Sequence, residues 1–314
     1  MAKNKNLHTA KATKNDEFYT RLEDIENELK YYKEHFKGKV VYCNCDGFLK
    51  KERSNFFLYF SLNYEFLGLK GLICTKYNPN GRGVKYEYYG DLNGNNYPDE
   101  EEIFTSELEG DGDFRSDECV ELLKKCDIVC TNPPFSLFRQ YVAQLFDYKK
   151  DFLIIGNVNA ITYKEVFPLI KENKMWLGVS SFNKGMYFGV PDDYIYADTY
   201  KFDRERDGKK VMRVASICWF TNLDHKKRHE ELLLYKKYNA EEYPEYDNYN
   251  AIEVGKTKDI PIDYDGIMGV PITFLNKYCP TQFKIIKFRK GDDDKDLSVN
   301  GKCPYFRILI KRIS

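Results

Sequence analysis

Short apolar runs alternate with amphipathic segments between residue 20 and about residue 180. The runs 39–45, 72–75, 126–131 and 152–156 each have the length of a buried strand, and segments with helical periodicity separate them. This alternation predicts an α/β fold with a doubly wound, mostly parallel sheet of the Rossmann-like type. In such a sheet the carboxyl ends of the strands share one edge, and ligands bind just outside that edge.

One of these runs ends in a diproline turn. Asn132-Pro133-Pro134-Phe135 follows the apolar run Cys126–Thr131 and precedes a helix-like segment. Two successive prolines fix their φ angles and lack N–H groups, so the turn is rigid. It could hold the Asn132 amide, the Pro133 carbonyl and the Phe135 ring around one small planar amine, such as that of a flipped-out base. The alternative is an ordinary proline turn that closes a strand.

Composition limits the class of protein. The chain has 314 residues and nine cysteines, and its formal net charge is zero. This length suffices for one large α/β domain and a smaller one. The scattered, odd-numbered cysteines favour reduced thiols in a cytoplasmic protein over a disulfide framework. No run has the length of a membrane span, and the Cys and His spacings fit no metal site, so we expect neither a membrane nor a metal partner.

Charge and pattern together suggest a division of the chain. We predict a flexible basic arm at 1–15, a large α/β domain at 16–224 and a smaller module at 225–314. Residues 76–112 interrupt the alternation and resemble a hairpin and an acidic loop inserted into the large domain. Thr20–Glu23 has the pattern of a capping box that opens the first helix. The basic arm and the basic last forty residues could both contact a polyanion.

These segments resemble the EcoRI-type family of DNA adenine-N6 methyltransferases. The resemblance covers most of the chain and rests on Asn15–Thr20, Ser54–Phe57, Cys126–Phe135 and Ile267–Phe274. It implies a Rossmann-like methyltransferase fold, S-adenosylmethionine as the methyl donor and double-stranded DNA as the substrate. It also implies a modification role in a restriction–modification system, with the C-terminal module 225–314 recognising the DNA target.

The resemblance and the order of the elements also imply roles for individual residues. The catalytic candidates are Asn132, Pro133, Pro134 and Phe135. The cofactor-binding candidates are Phe18, Tyr19, Thr20, Asp46, Asp113 and Phe114. The DNA-binding candidates are Lys11, Lys14, Lys284, Lys287, Arg289 and Lys290. This chain departs from the usual pattern of such enzymes in having a single glycine after the first strand of the fold and no evident acid after the second.

Two other classes of function remain open from the residues alone. The same turn suits methyl transfer to an RNA base or to a protein glutamine, because each presents a planar nitrogen. A non-catalytic DNA-binding relative could also keep the fold without the chemistry. We expect a cytoplasmic protein, and a monomer is compatible with this sequence.

Overall fold

The structure is a computed structural model in which residues 18–45, 54–182 and 185–313 are described. Lys11, Lys14 and Asp46, together with the predicted basic arm, lie outside the described residues. The chain forms two compact units, each with its own sheet structure. Of the described residues, the first contains those up to Ala160 and those within Ser180–Leu223, and the second contains Ile161–Val179 and those from Asp224 onward.

The first unit contains two sheets. Its strands are β1 (Tyr19–Thr20), β2 (Val40–Cys43), β3 (Gly71–Lys76), β4 (Val84–Tyr88), β5 (Phe104–Glu107), β6 (Ile128–Thr131), β7 (Asp151–Asn157), β9 (Met186–Gly189), β10 (Glu205–Arg206), β11 (Lys209–Val214) and β12 (Ile217–Thr221). In the large sheet they follow the order β5-β4-β3-β2-β6-β7-β12. Strands β3, β2, β6 and β7 run parallel, whereas β4, β5 and β12 are antiparallel to their neighbours. The predicted fold class, a mostly parallel α/β sheet, is confirmed.

Helices precede β2 and connect the parallel strands of the large sheet. They are α1 (Leu22–Leu29), α2 (Lys33–Phe36), α3 (Asn55–Leu62), α4 (Tyr64–Leu67), α5 (Asp117–Lys125) and α6 (Phe138–Asp147). Two begin at a serine cap: the Ser54 hydroxyl accepts from the N–H of Phe56, and the Ser116 hydroxyl accepts from the N–H of Cys119. The parallel strands are buried almost throughout, which explains why each one reads as a continuous apolar run.

The predicted capping box at Thr20 is wrong. The N-cap residue of α1 is Arg21, and its side chain makes no capping hydrogen bond. Thr20 instead belongs to β1, where it pairs with Phe188 of β9 in the small antiparallel sheet β1-β9-β11-β10. The pairing of Thr20 with Phe188 prevails over the local capping pattern, because the backbone of Thr20 belongs to a strand and not to the start of the helix.

Another segment differs from its sequence pattern. Residues 211–223 have the pattern of a further strand, but Ser216, with a φ of 60°, divides them into β11 and β12, which lie in different sheets. Within 76–112, β4 and β5 pair as an antiparallel hairpin that extends the large sheet at its edge, beside β3.

The second unit has its own mixed sheet. The helices and strands of this unit include α7 (Phe167–Lys171), β8 (Trp176–Leu177), β13 (Glu245–Tyr246), β14 (Tyr249–Glu253), β15 (Ile267–Pro271), β16 (Phe283–Phe288) and β17 (Arg307–Arg312), and β8 is not a strand of its mixed sheet. The sheet order is β13-β14-β15-β17-β16. The sequence placed 161–179 in the large domain, whereas these residues group with the C-terminal ones, because Phe167 of α7 packs on Phe288 of β16 at 5.2 Å between ring centroids. Within the described part of the chain, every helix is too short or too polar to cross a bilayer.

Candidate active site

The Asn132 turn lies at the carboxyl edge of the parallel strands. Strands β2 and β6 are neighbours, with Tyr42 opposite Val129, and they end at Cys43 and Thr131. Each is followed directly by a buried asparagine, Asn44 or Asn132. Because neighbouring parallel strands end at the same edge, the topology places both amides where this fold class binds its ligands.

The two ends of the Asn132 amide have different surroundings. Its Nδ2 donates to the backbone carbonyl of Phe18 at 2.9 Å, which fixes the plane of the amide. The residue is 8% exposed, and its Oδ1 is buried with no hydrogen-bond partner among the described residues. An unsatisfied buried acceptor costs about 1–3 kcal/mol, so this oxygen is a preorganised site for a donor.

Aromatic rings surround this amide. Phe18 and Phe135 are stacked at 6.5 Å between centroids, with an interplanar angle of 21°. Phe188 of β9 also contacts Phe18, at 5.9 Å between centroids and tilted by 59°. Phe135 is half-buried, whereas Phe18 and Phe188 are buried. Phe188 was not predicted from the sequence, because the pairing of β9 with β1 joins segments that are far apart in the chain.

Two side chains of helix α6, which follows the turn, contact Asn44 and Phe114. The Tyr141 hydroxyl of α6 donates to the Oδ1 of Asn44, and burial raises the pKa of this phenol well above its usual value. The rings of Tyr141 and Phe114 pack in a T-shaped arrangement, with 4.9 Å between their centroids. Gln144, one turn further along α6, donates to the Phe114 carbonyl at 3.1 Å. Phe114 was selected from the sequence but Asn44 and Tyr141 were not, since neither belongs to a recognisable motif.

Asp113 is held by an arginine. Arg115 donates from Nε and Nη2 to the two carboxylate oxygens of Asp113, at 2.9 and 2.6 Å. These hydrogen bonds lower the pKa of Asp113 below its usual value, so the group is an anion at neutral pH. A ligand that uses this carboxylate must therefore share it with Arg115.

The remaining cofactor candidates lie on β1. Tyr19 and Thr20 are buried, and no residue of the described ranges makes a hydrogen bond to the Thr20 hydroxyl oxygen. The backbone carbonyl of Thr20 accepts from the Asn55 side chain of α3 at 2.7 Å, which ties β1 to the helix that follows β2 in the chain. The Thr131 hydroxyl, next to Asn132, is likewise buried and unpartnered.

The basic candidates of the second unit fall into two groups. Lys284 of β16 is exposed and lies opposite Lys311 of β17. Arg289 and Lys290, in contrast, both contact the carboxylate of Asp296. The Nε of Arg289 and the Nζ of Lys290 each lie 2.9 Å from its Oδ1.

Lys287 donates to the carbonyl of Gly291 at 2.8 Å. A cavity of about 270 Å³ in the same unit is lined by Lys236, Glu242 and Asp259 among others, and none of the predicted site residues borders it.

Comparisons with known proteins agree along nearly the whole chain. The sequence model of the family described as adenine-specific methyltransferase EcoRI matches residues 6–313. The Type II methyltransferase M.EcoRI of Escherichia coli is 56% identical, over 99% of this chain and 97% of that protein. Type II methyltransferases M.MgeORF184P of Mycoplasma genitalium and M.MpnI of Mycoplasma pneumoniae are each 38% identical, over 98% of both chains. No solved structure matches this chain.

Proposed function

This chain belongs to the EcoRI family of adenine-specific methyltransferases, and from that premise we propose the details of its reaction. The methyl donor is S-adenosylmethionine, the acceptor is N6 of an adenine flipped out of duplex DNA, and the enzyme provides the modification activity of a restriction–modification system. The observation that carries the proposal is the Asn132 amide, which is anchored at its nitrogen and unsatisfied at its oxygen.

The chemistry of adenine explains why such an amide is useful. The N6 lone pair is delocalised into the ring, so the amine is a poor nucleophile. The Oδ1 of Asn132 and the backbone carbonyl of Pro133 are the two acceptors proposed for the amine hydrogens, and together they favour a pyramidal nitrogen with a localised lone pair. This is electrostatic preorganisation, because the acceptor is fixed before the substrate arrives. No strong base is required, since the nitrogen becomes acidic only as it is methylated.

The aromatic group supports the base-flipping part of the proposal. Phe135 is half-buried at the end of the turn, and Phe18 stacks behind it. In our proposal Phe135 presents a ring face to the extruded base, while Pro134 stiffens the turn that carries it. Stacking of one base on an aromatic side chain contributes about 1–3 kcal/mol, which offsets part of the cost of extrusion.

The residues of β1 and of the loop before α5 fit a polar, adenine-containing cofactor. When bound, S-adenosylmethionine supplies an electrophilic methyl group on a sulfonium. The buried Thr20 hydroxyl, which lacks a partner, can take a polar group of this molecule. Tyr19 lies on the same strand and Phe18 directly precedes it, while Phe114 offers a ring beside Asp113, the proposed acceptor for the cofactor amine. Asp46 is proposed for a further polar contact, and it lies outside the described residues.

DNA binding is proposed for the second unit and the N-terminal arm. Lys284, Lys287, Arg289 and Lys290 carry the candidate contacts in the second unit, and Lys11 and Lys14 carry those of the arm. Support comes from exposed lysine pairs such as Lys284 and Lys311, which face the same side of β16 and β17. Contacts of this kind neutralise phosphates and contribute affinity rather than sequence preference.

Methyl transfer from labelled S-adenosylmethionine to duplex DNA, RNA and protein, assayed in parallel, tests the proposal. We expect label in N6-methyladenine of DNA, and we expect Asn132→Ala to lower the rate by at least about a hundredfold while DNA binding persists. Label found in RNA or protein but not in DNA would contradict the substrate assignment. An equal rate for Asn132→Ala would contradict the proposed mechanism.

A further inference from the structure

The loop between β4 and β5 has the spacing of a calcium-binding loop. Its twelve residues, Asp91–Glu102, place Asp, Asn, Asn, Asp and Glu at the first, third, fifth, ninth and twelfth positions. The EF-hand loop draws its oxygen ligands from these same positions and from the backbone carbonyl of the seventh, which is Tyr97 here. We propose that this loop is a Ca²⁺ site, which neither the predicted site residues nor the family assignment includes.

The backbone of the loop has the corresponding shape. Asp91 at the first position accepts from the N–H groups of Gly94 and Asn96, both at 2.7 Å. The sixth position, where the EF-hand loop requires glycine for a sharp turn, is Asn96 with a φ of 59°. Asparagine tolerates this left-handed conformation better than most residues, so the turn is made without glycine.

Glu102 at the twelfth position provides the independent indication of a ligand. The residue is only 3% exposed, although it ends a strongly acidic surface loop. Its Oε1 accepts from the N–H groups of Leu92 and Asn93, at 2.6 and 3.0 Å, which directs the carboxylate into the loop. Its Oε2 is buried, and within the part of the chain that the structure describes it has no hydrogen-bond partner. A carboxylate oxygen buried without a donor is costly, and a bound cation would satisfy it.

The chemistry of the donors favours calcium over other metals. All of the ligand positions offer oxygen, from the carboxylates of Asp91, Asp99 and Glu102 and the amides of Asn93 and Asn95, and the loop contains no Lys or Arg. Oxygen ligands in a flexible loop suit Ca²⁺, whereas Mg²⁺ demands a stricter octahedron and retains its waters.

Within the described residues, no three His, Cys, Asp or Glu side chains gather closely enough to hold a metal by themselves. The proposed site therefore depends on amide and carbonyl oxygens, and on inward movement of Asp99, which now accepts from the side chains of Asn93 and Asn95.

A cation here would stabilise an edge of the large sheet. Strand β5 is exposed along its length and pairs with β4 alone in the described sheet order. The loop closes the β4–β5 hairpin, so a ligand that joins Asp91 at its start to Glu102 at its end would hold the two strands together. This role is structural, and it does not depend on the proposed mechanism of methyl transfer.

Calorimetric titration of CaCl₂ into the EDTA-treated full chain tests the proposal, with Tb³⁺ luminescence as a second readout because Tyr97 can sensitise it. We expect saturable binding at one site, weaker binding of Mg²⁺, and a rise in melting temperature with Ca²⁺. Glu102→Gln and Asp91→Asn should abolish the Ca²⁺ binding, the sensitised Tb³⁺ luminescence and the rise in melting temperature, since each substitution removes a charged ligand. The matched control is Glu101→Gln, which makes the same change at a neighbouring exposed position and should leave binding unchanged.

The variants are chosen so that misfolding does not obscure the result. The Glu102→Gln side chain would keep an oxygen to accept from the Leu92 and Asn93 N–H groups, so circular dichroism of this variant should match that of the parent chain. Absence of saturable Ca²⁺ binding in the parent chain would overturn the proposal. So would unchanged binding in Glu102→Gln, or an equal loss of binding in Glu101→Gln.

Discussion

At the scale of single residues, the candidate site depends on polar side chains that a hydrogen bond with a neighbour holds in place. The Asn132 amide is anchored by the Phe18 carbonyl, and the Asp113 carboxylate is anchored by Arg115. In the first case the free atom is the oxygen that the proposed chemistry needs. In the second case both carboxylate oxygens already accept hydrogen bonds from Arg115, so Asp113 has fewer acceptor positions left for a ligand.

Asn132→Asp separates the two halves of the amide. The substitution keeps an acceptor at Oδ1 but replaces the Nδ2 donor with an oxygen that faces the Phe18 carbonyl. We expect a methylation rate between those of the parent chain and Asn132→Ala, because the acceptor survives while its anchor is lost. Single-turnover rates for the three proteins measure this order. A rate for Asn132→Asp at or below that of Asn132→Ala would show that the acceptor alone contributes nothing.

The Asp113–Arg115 pair predicts a pH dependence of stability. Hydrogen bonds from Arg115 lower the pKa of Asp113 below its usual 3.8, so the pair stabilises the fold above that pH and loses this contribution as pH falls through the lowered value. Arg115→Ala should therefore reduce stability at pH 7, by up to about 1 kcal/mol for a partly exposed pair, and the difference should shrink in acid. Urea unfolding at pH 7 and at pH 3 measures both values. A difference that is equal at the two pH values would exclude the ion pair as its cause.

At the scale of elements, the sequence predicted what local pattern determines. The strands β2, β3, β6 and β7 are buried on both faces, so their apolar runs were sufficient to locate them. The turn at Asn132 was predictable because prolines fix it locally. Thr20 was misassigned because its partner, Phe188, is remote in sequence. The hairpin of β4 and β5 could be predicted as a hairpin, but its place at the edge of the large sheet depends on the pairing of β4 with β3.

The acidic loop shows a different limit. Its ligand spacing is present in the sequence, but Asn96 stands where a glycine usually marks the motif, and Asn93-Gly94 reads as a simple turn. The buried Glu102 oxygen, which depends on tertiary packing, is what distinguishes a candidate ligand set from a solvated acidic surface.

Gly156 of β7 tests how closely the helix after the turn is packed on the sheet. A Cβ at this position would lie 2.5 Å from the Phe138 ring and 2.9 Å from the Phe220 ring. Since Phe138 begins α6 only three residues after Phe135 of the turn, we expect Gly156→Ala to cost about 1–3 kcal/mol and to lower the methylation rate. Thermal unfolding and the transfer assay measure the two effects. Gly255→Ala is the control, because a Cβ there has no neighbour within 4 Å, and equal effects of both substitutions would contradict the packing argument.

At the scale of the whole molecule, the net charge does not show which basic side chains are exposed and which are paired with carboxylates. The chain is neutral overall, and the basic end selected from the sequence contains both exposed and internally paired cations. Lys284 is exposed opposite Lys311, whereas Arg289 and Lys290 share Asp296. Pairing of this kind cannot be read from composition, because Asp296 is brought to Arg289 by the folding of the segment after β16.

This distinction predicts which lysines contribute to DNA affinity. If Lys284 and Lys311 each neutralise a phosphate, the double substitution to alanine should reduce the slope of log K against log salt by about 2, since each contact contributes about 0.9. Fluorescence anisotropy with duplex DNA at several salt concentrations measures the slope. Lys236→Ala is the matched control, because its ammonium lies near Glu242 and Asp259, at 3.6 and 3.8 Å, and a cation so placed should release few counterions on binding. An unchanged slope in the double variant would move the proposed DNA contacts away from this face of β16 and β17.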